Sequence, residues 1–191
     1  MKKLLLICIA LGVFNFSAAQ VRSETTYGIR LGLNYSNLET DYFSDSDSRI
    51  APEVLFFAEI PLGNTFSLVP ELGFSALGAK EDSFEAADGD YIDFKTNWLT
   101  AGFLAQFHLT DLLYLNAGPK FALNVSDNDD GDYYASDLLG VGGVGFQLTN
   151  SFSIDARYGY GFTNIFEGTA LGDQGFEAEN RFYQLTVTYK L

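Results

Sequence analysis

The sequence predicts an all-β fold: an eight-stranded antiparallel transmembrane β-barrel with short periplasmic turns and long outer loops. Three observations carry this expectation. From residue 26 onward, segments of about ten residues alternate apolar and polar side chains with period two, as strands do when their two faces meet different surroundings. The connections are alternately short and long, the loop asymmetry of outer-membrane barrels. No helix-period segment of useful length interrupts the series.

Strand 1 is expected near Thr26–Ser36, with Tyr27, Ile29, Leu31, Leu33 and Tyr35 on one face and Gly28, Arg30, Gly32 and Asn34 on the other. A polar loop to about Arg49 leads to strand 2, near Ala51–Ile60. There Val54, Phe56, Ala58 and Ile60 oppose Glu53 and Glu59. Pro61–Thr65 carries Gly and Asn at turn positions. Strand 3, near Phe66–Leu77, sets Leu68, Pro70, Leu72, Phe74 and Ala76 against Ser67, Glu71, Gly73 and Ser75. After an acidic loop, strand 4 near Phe94–Phe107 points Leu99, Ala101, Phe103, Ala105 and Phe107 outward, opposite Thr100, Gly102 and Gln106.

A short connection from His108 to Leu112 precedes strand 5, near Tyr114–Val125. It alternates Leu115, Ala117, Pro119, Phe121 and Leu123 with Asn116, Gly118, Lys120 and Asn124. Beyond a loop over Ser126–Ser136, strand 6 (Asp137–Leu148) is so rich in glycine that alternation leaves its phase open. Thr149–Ser151 turns into strand 7, where Phe152, Ile154, Ala156, Tyr158, Tyr160 and Phe162 oppose Ser153, Asp155, Arg157, Gly159 and Gly161. A last long loop, about Asn164–Asn180, leads to the closing strand, Phe182–Leu191, with Tyr183, Leu185, Val187, Tyr189 and Leu191 on one face.

Residues 1–19 read as an export signal and residues 20–191 as the barrel domain. Met1, Lys2 and Lys3 form a basic start, Leu4–Phe16 is apolar, and Ser17, Ala18 and Ala19 offer a small-residue cleavage site. The apolar run falls short of the roughly 20 residues that a spanning helix needs. Cys8, the only cysteine, lies within this segment, so the mature chain is expected to form no disulfide and no thiolate metal site.

Alternation alone does not say which face meets lipid, because a soluble ligand-binding barrel has the same period with the faces exchanged. The polar face decides. It is dominated by Gly32, Gly73, Gly102, Gly118, Gly159 and Gly161 with Asn, Ser and Thr, which suits the crowded inside of eight strands. Its charges are near balance, with Arg30, Lys95, Lys120, Arg157 and Lys190 against Glu53, Glu59, Glu71 and Asp155, as a closed polar interior requires. The apolar face, with aromatics near strand ends, is then the lipid band.

The net charge of −14 is concentrated in the four long loops, which hold most of the 25 acids. Such a surface does not suit nucleic acid, whose phosphates call for cations. Chemistry-bearing residues are few. The only histidine, His108, is expected in an exposed periplasmic turn beside Asp111, without a serine near in sequence to form a relay. Glu53, Glu59 and Glu71 are expected to be salt-bridge partners of the interior cations. Asp127–Asp132 resembles a calcium loop, but alignment on Gly131 puts Ser126 at the first ligand position and Asp137 at the twelfth, where a glutamate belongs. No catalytic, cofactor-binding or metal-binding residue is assigned.

Five motifs carry a family resemblance: Phe56–Leu62 (FFAEIPL), Leu68–Leu72 (LVPEL), Ala117–Lys120 (AGPK), Ile154–Tyr160 (IDARYGY) and Gln184–Lys190 (QLTVTYK). In this order they resemble the PorT-like outer-membrane β-barrel family of the Bacteroidetes lineage, over essentially the whole mature chain. The chain departs from that pattern at Leu191, where a terminal aromatic is common, and at Thr100–Gly102. The resemblance implies export, outer-membrane lipid as surroundings and insertion by the barrel-assembly machinery. It brings no catalytic residues. The expected role is structural or interaction work at the cell surface through the acidic loops, without an open pore. The alternatives are an accessory role in protein secretion and, further off, a soluble ligand-binding barrel.

Overall fold

A computed structural model describes residues 24–39, 48–79, 95–126, 136–164, 175 and 177–191. Eight strands follow one another: β1 Thr26–Glu39, β2 Arg49–Pro61, β3 Phe66–Gly78, β4 Lys95–His108, β5 Leu113–Asn124, β6 Ser136–Gln147, β7 Phe152–Gly161 and β8 Glu179–Lys190. Each pairs antiparallel with its neighbours in sequence, and β1 pairs with β8 to close the barrel. Closure leaves no strand edge unpaired, the condition for a sheet to sit in lipid.

The three short turns, residues 62–65, 109–112 and 148–151, are built alike. The first residue of each donates its N–H to the carbonyl that opens the next strand: Leu62 to Phe66 at 2.9 Å, Leu109 to Leu113 at 2.9 Å and Leu148 to Phe152 at 2.8 Å. At the opposite end, β1 and β8 run further than their alternation indicated. They extend one another through the pairs Leu38–Asn180 and Glu39–Glu179.

Burial follows the expected phase. The outward face carries Leu31, Leu33, Phe56, Leu72, Leu99, Phe103, Leu185 and Val187, all exposed, while Arg30, Glu53, Glu71, Lys120, Asp155 and Arg157 are buried. For an isolated soluble domain this would be inverted; for a barrel in a bilayer it is the expected distribution. The glycine-rich β6 resolves with Asp137, Leu139 and Val141 buried and Leu138, Val144 and Phe146 exposed.

Three details differ from the sequence expectation. Lys95 is not a lumen cation. It shares the phase of Leu99 and Ala101 at the outer end of β4, while the buried Asp137 adds an acid to the interior charges. Ala76, expected outward, is buried. The largest difference is in the lumen, which is not purely polar: Phe57, Val69, Leu77, Trp98, Leu104, Leu139, Val141 and Phe182 form a buried apolar cluster within it. An eight-stranded interior must be filled to normal packing density, and carbon does this wherever no ion pair is needed. The Trp98 Nε1–H meets Thr96 Oγ1 at 2.8 Å, so its polar end is not stranded.

Glycine makes room for the inward rings. Gly28 pairs with Phe57, Gly145 with Tyr114 and Gly159 with Phe182 across neighbouring strands. A Cβ at Gly159 would stand 2.1 Å from the Phe182 ring, and one at Gly145 would stand 2.1 Å from the Tyr114 ring.

Candidate functional site

The polar side chains of the lumen converge into one connected assembly. At its centre, Arg157 grips Glu71 with both terminal nitrogens, Nη1 to Oε2 at 3.0 Å and Nη2 to Oε1 at 3.1 Å. Arg30 also pairs with Glu71. Asp155 completes the group, 3.9 Å from Arg30 Nε and 3.6 Å from Arg157 Nη2. It also accepts hydrogen bonds from Asn116 Nδ2 at 3.2 Å and Thr188 Oγ1 at 3.1 Å. The Arg30 guanidinium lies 4.5 Å from the centre of the Phe57 ring, a cation–π contact that links the charged and apolar parts of the filling. Two guanidiniums against two carboxylates leave this centre neutral, with the planar forks matched to carboxylates as buried pairs require.

Toward the outer end, Lys120 Nζ meets Glu53 Oε1 at 3.2 Å, and Ser75 and Gln184 also donate to Glu53. Asn180 Nδ2 donates to Asp137 Oδ2 at 2.9 Å. Toward the short-turn end, Lys190 Nζ lies 2.8 Å from Glu59 Oε2 and donates to Gln147 Oε1 at 3.1 Å. Glu53, Glu59 and Glu71 are therefore all salt-bridge partners, each with a different cation set.

His108 departs from its expected place. It is the last residue of β4, buried, with its ring turned into the lumen. Its Nε2 is 3.1 Å from Glu59 Oε1, 3.2 Å from Gln106 Nε2 and 3.4 Å from Ser67 Oγ, and its ring lies against Tyr114. Asp111, by contrast, is exposed in the turn. One more step of the β4 alternation, Thr100–Gly102–Leu104–Gln106–His108, would have placed the ring inside.

The fold thus brings a serine, a histidine and a glutamate together that the sequence kept apart. They do not form a relay. A relay needs serine and acid on opposite ring nitrogens, and here both face Nε2 while Ser67 Oγ also donates to Glu59 at 3.3 Å. Asp127–Asp132 lies outside the described residues. Its flanks are engaged elsewhere: Ser126 Oγ accepts from the Asn97 N–H at 2.8 Å, and Asp137 points to Asn180. Among the described residues no three His, Cys, Asp or Glu side chains are grouped to hold a metal.

Residues 18–167 match the family described as outer membrane protein beta-barrel domain. The chain belongs to that family. The match spans β1 to β7, and β8 completes the barrel beyond it. Solved structures similar to the chain include Neisserial surface protein A, at 13% identity and a TM-score of 0.60, covering 88% of this chain and 99% of that one. They also include Ail, the attachment invasion locus protein of Yersinia pestis, at 16% identity and a TM-score of 0.51, again covering 88% and 99%. At such identities the likeness is one of fold. No curated protein matches the chain in sequence. The protein is an eight-stranded barrel of the cell outer membrane.

The five motifs quoted above take on a physical meaning in this fold. Their polar members include Glu59, Glu71, Lys120, Asp155, Arg157, Gln184 and Lys190, which are the lumen assembly itself. What they record is how the barrel is filled.

Proposed function

We propose that this protein is a sealed outer-membrane barrel that works as a structural or interaction element of the cell surface, neither an enzyme nor a pore. The observation that carries this reading is the filling of the lumen. Four interlocked charges at the centre, Arg30, Arg157, Glu71 and Asp155, and the apolar cluster around Trp98 and Phe182 take up the space that a channel would need. The Ser67–His108–Glu59 geometry supports the non-enzymatic part, since no activated nucleophile results from it. With the interior committed to packing, the chemistry left for recognition is that of the long acidic loops. Planar-bilayer recordings of the purified protein test the sealed state; a steady conductance would reject it.

A second reading is an accessory role in protein secretion. It is favoured by the PorT-like motifs, but these map to the lumen filling and thereby explain a shared barrel without a shared partner. Deleting the gene distinguishes the two: secreted proteins that accumulate in the periplasm would favour the secretion role. Outer-membrane lipid and, during insertion, the barrel-assembly machinery are the partners proposed on either reading.

A further inference from the structure

Tyrosine is unevenly placed around this barrel. Among the described residues, every tyrosine on the outward phase (Tyr27, Tyr35, Tyr158, Tyr160, Tyr183 and Tyr189) lies on β1, β7 or β8. The other five strands carry phenylalanine and aliphatic side chains outward and no tyrosine there. The remaining described tyrosine, Tyr114, points inward. These three strands are contiguous across the β1–β8 closure. Tyr35 pairs with Tyr183, and Tyr183 with Tyr158, in one row across them. The Tyr158 and Tyr183 rings are 5.3 Å apart, and the Phe152 and Tyr189 rings 5.0 Å apart at the other end.

An aromatic girdle that serves only to seat a barrel in the headgroup region has no reason to favour one side. Tyrosine is also the residue of protein–protein contacts, being large, rigid and polar at its tip. We propose that the β7–β8–β1 sector is the face on which two copies of this chain associate within the membrane, about a two-fold axis along the bilayer normal.

Three features favour a second copy as the occupant. The sector runs the full height of the barrel, with tyrosine at both ends and Leu31, Leu33, Leu185 and Val187 between. Girdles that only seat a barrel would ring it at both levels, whereas among the described residues both levels carry outward tyrosine on these strands alone. Two copies inserted in the same direction place equal levels opposite one another, so tyrosine row meets tyrosine row. The outer rim of the sector carries both signs, Arg181 paired with Glu39 and Glu179 beside them, which suits a contact of a patch with itself.

The size of the face sets the strength. Three strands at ~4.8 Å spacing along a band ~25 Å tall give on the order of 350 Å² per copy. That is under half of the roughly 800 Å² per partner of a stable interface, so the dimer is weak and reversible.

Single cysteines in a Cys8→Ser background test this in native outer membranes. Leu185→Cys places the thiol at the middle of β8, and Phe103→Cys places one on β4, the far side of the barrel. Both residues are 60% exposed, so lipid access is matched. Copper-catalysed oxidation and a short bis-maleimide should give a dimer of twice the chain mass for Leu185→Cys, several-fold above Phe103→Cys. Adding Tyr35→Ala and Tyr183→Ala to Leu185→Cys should cut that yield several-fold while heat-modifiable migration shows the barrel still folded. Equal yields at the two positions, no dimer at Leu185→Cys, or a cross-link to a protein of another mass would each overturn the proposal.

Discussion

Replacing Glu71 by glutamine tests whether the lumen is held by charge balance. The substitution keeps the size and hydrogen-bonding shape of the side chain and removes one charge. Glu71 is 4% exposed and is the acid on which Arg157 forks and with which Arg30 pairs. Without its charge, the two guanidiniums are left with Asp155, at 3.6 and 3.9 Å. The neutral centre then carries one uncompensated positive charge, in surroundings that water does not reach. Breaking a buried pair in this way costs about 3–5 kcal/mol. Urea unfolding of the protein refolded in lipid vesicles should show that loss as a lower midpoint at unchanged slope. The diagnostic step is the second substitution. Arg157→Met in the Glu71→Gln background restores neutrality with a side chain of similar reach, and should recover at least half of the lost stability. A loss below ~1 kcal/mol for Glu71→Gln would place the group in the range of exposed pairs and refute the balance argument. So would a double variant less stable than Glu71→Gln alone.

The glycines allow a sharper contrast. Gly118→Ala sets a Cβ 2.1 Å from the Phe103 carbonyl oxygen, which cannot move without shifting a strand, whereas Gly102→Ala meets nothing nearer than 3.6 Å. The first should cost about 1–3 kcal/mol, the usual toll of overpacking, and the second should be close to neutral in the same unfolding assay. At Gly159 the obstacle is the Phe182 ring, so Gly159→Ala should destabilise and Phe182→Leu should rescue it in part; failure of rescue would mean the ring is not the obstacle. His108→Ala removes a partner of Glu59 at the short-turn mouth and should lower stability by about 1–3 kcal/mol, the cost of an unmet buried polar group. If His108 were exposed in a turn, the same change would not register. Deleting residues 182–191 leaves β1 and β7 without their partner in lipid, and fractionation should find no membrane-inserted protein.

How much of this barrel could be read from the sequence varies with the range of the interaction. Period-two alternation is local, and it located all eight strands; their ends shifted by a few residues where pairing extended them, as at Glu39 and Glu179. Loop length is local too, and it set the order of turns. The choice of inner face followed from composition, because glycine and balanced charge suit a crowded lumen and not a wet surface. The parity of Lys95 with Leu99 sets it on the outward phase of β4, so this position too is fixed by local alternation.

Contacts across the lumen follow another logic. Glu71 and Arg157 are 86 residues apart, and Glu53 and Gln184 are 131 apart, and no spacing rule joins them. The glycine–aromatic pairs depend on register, which closure of the barrel fixes and alternation leaves free. The same holds for His108, which became a lumen residue by one further step of β4 and found Glu59 and Ser67 only because β2 and β3 deliver them there. By itself the sequence determined which face of seven strands turns inward, since that depends on position parity along each strand; the phase of the glycine-rich β6 came only with pairing. Only the tertiary structure decided which inward side chains meet, because closing eight staggered strands brings together residues far apart in the chain.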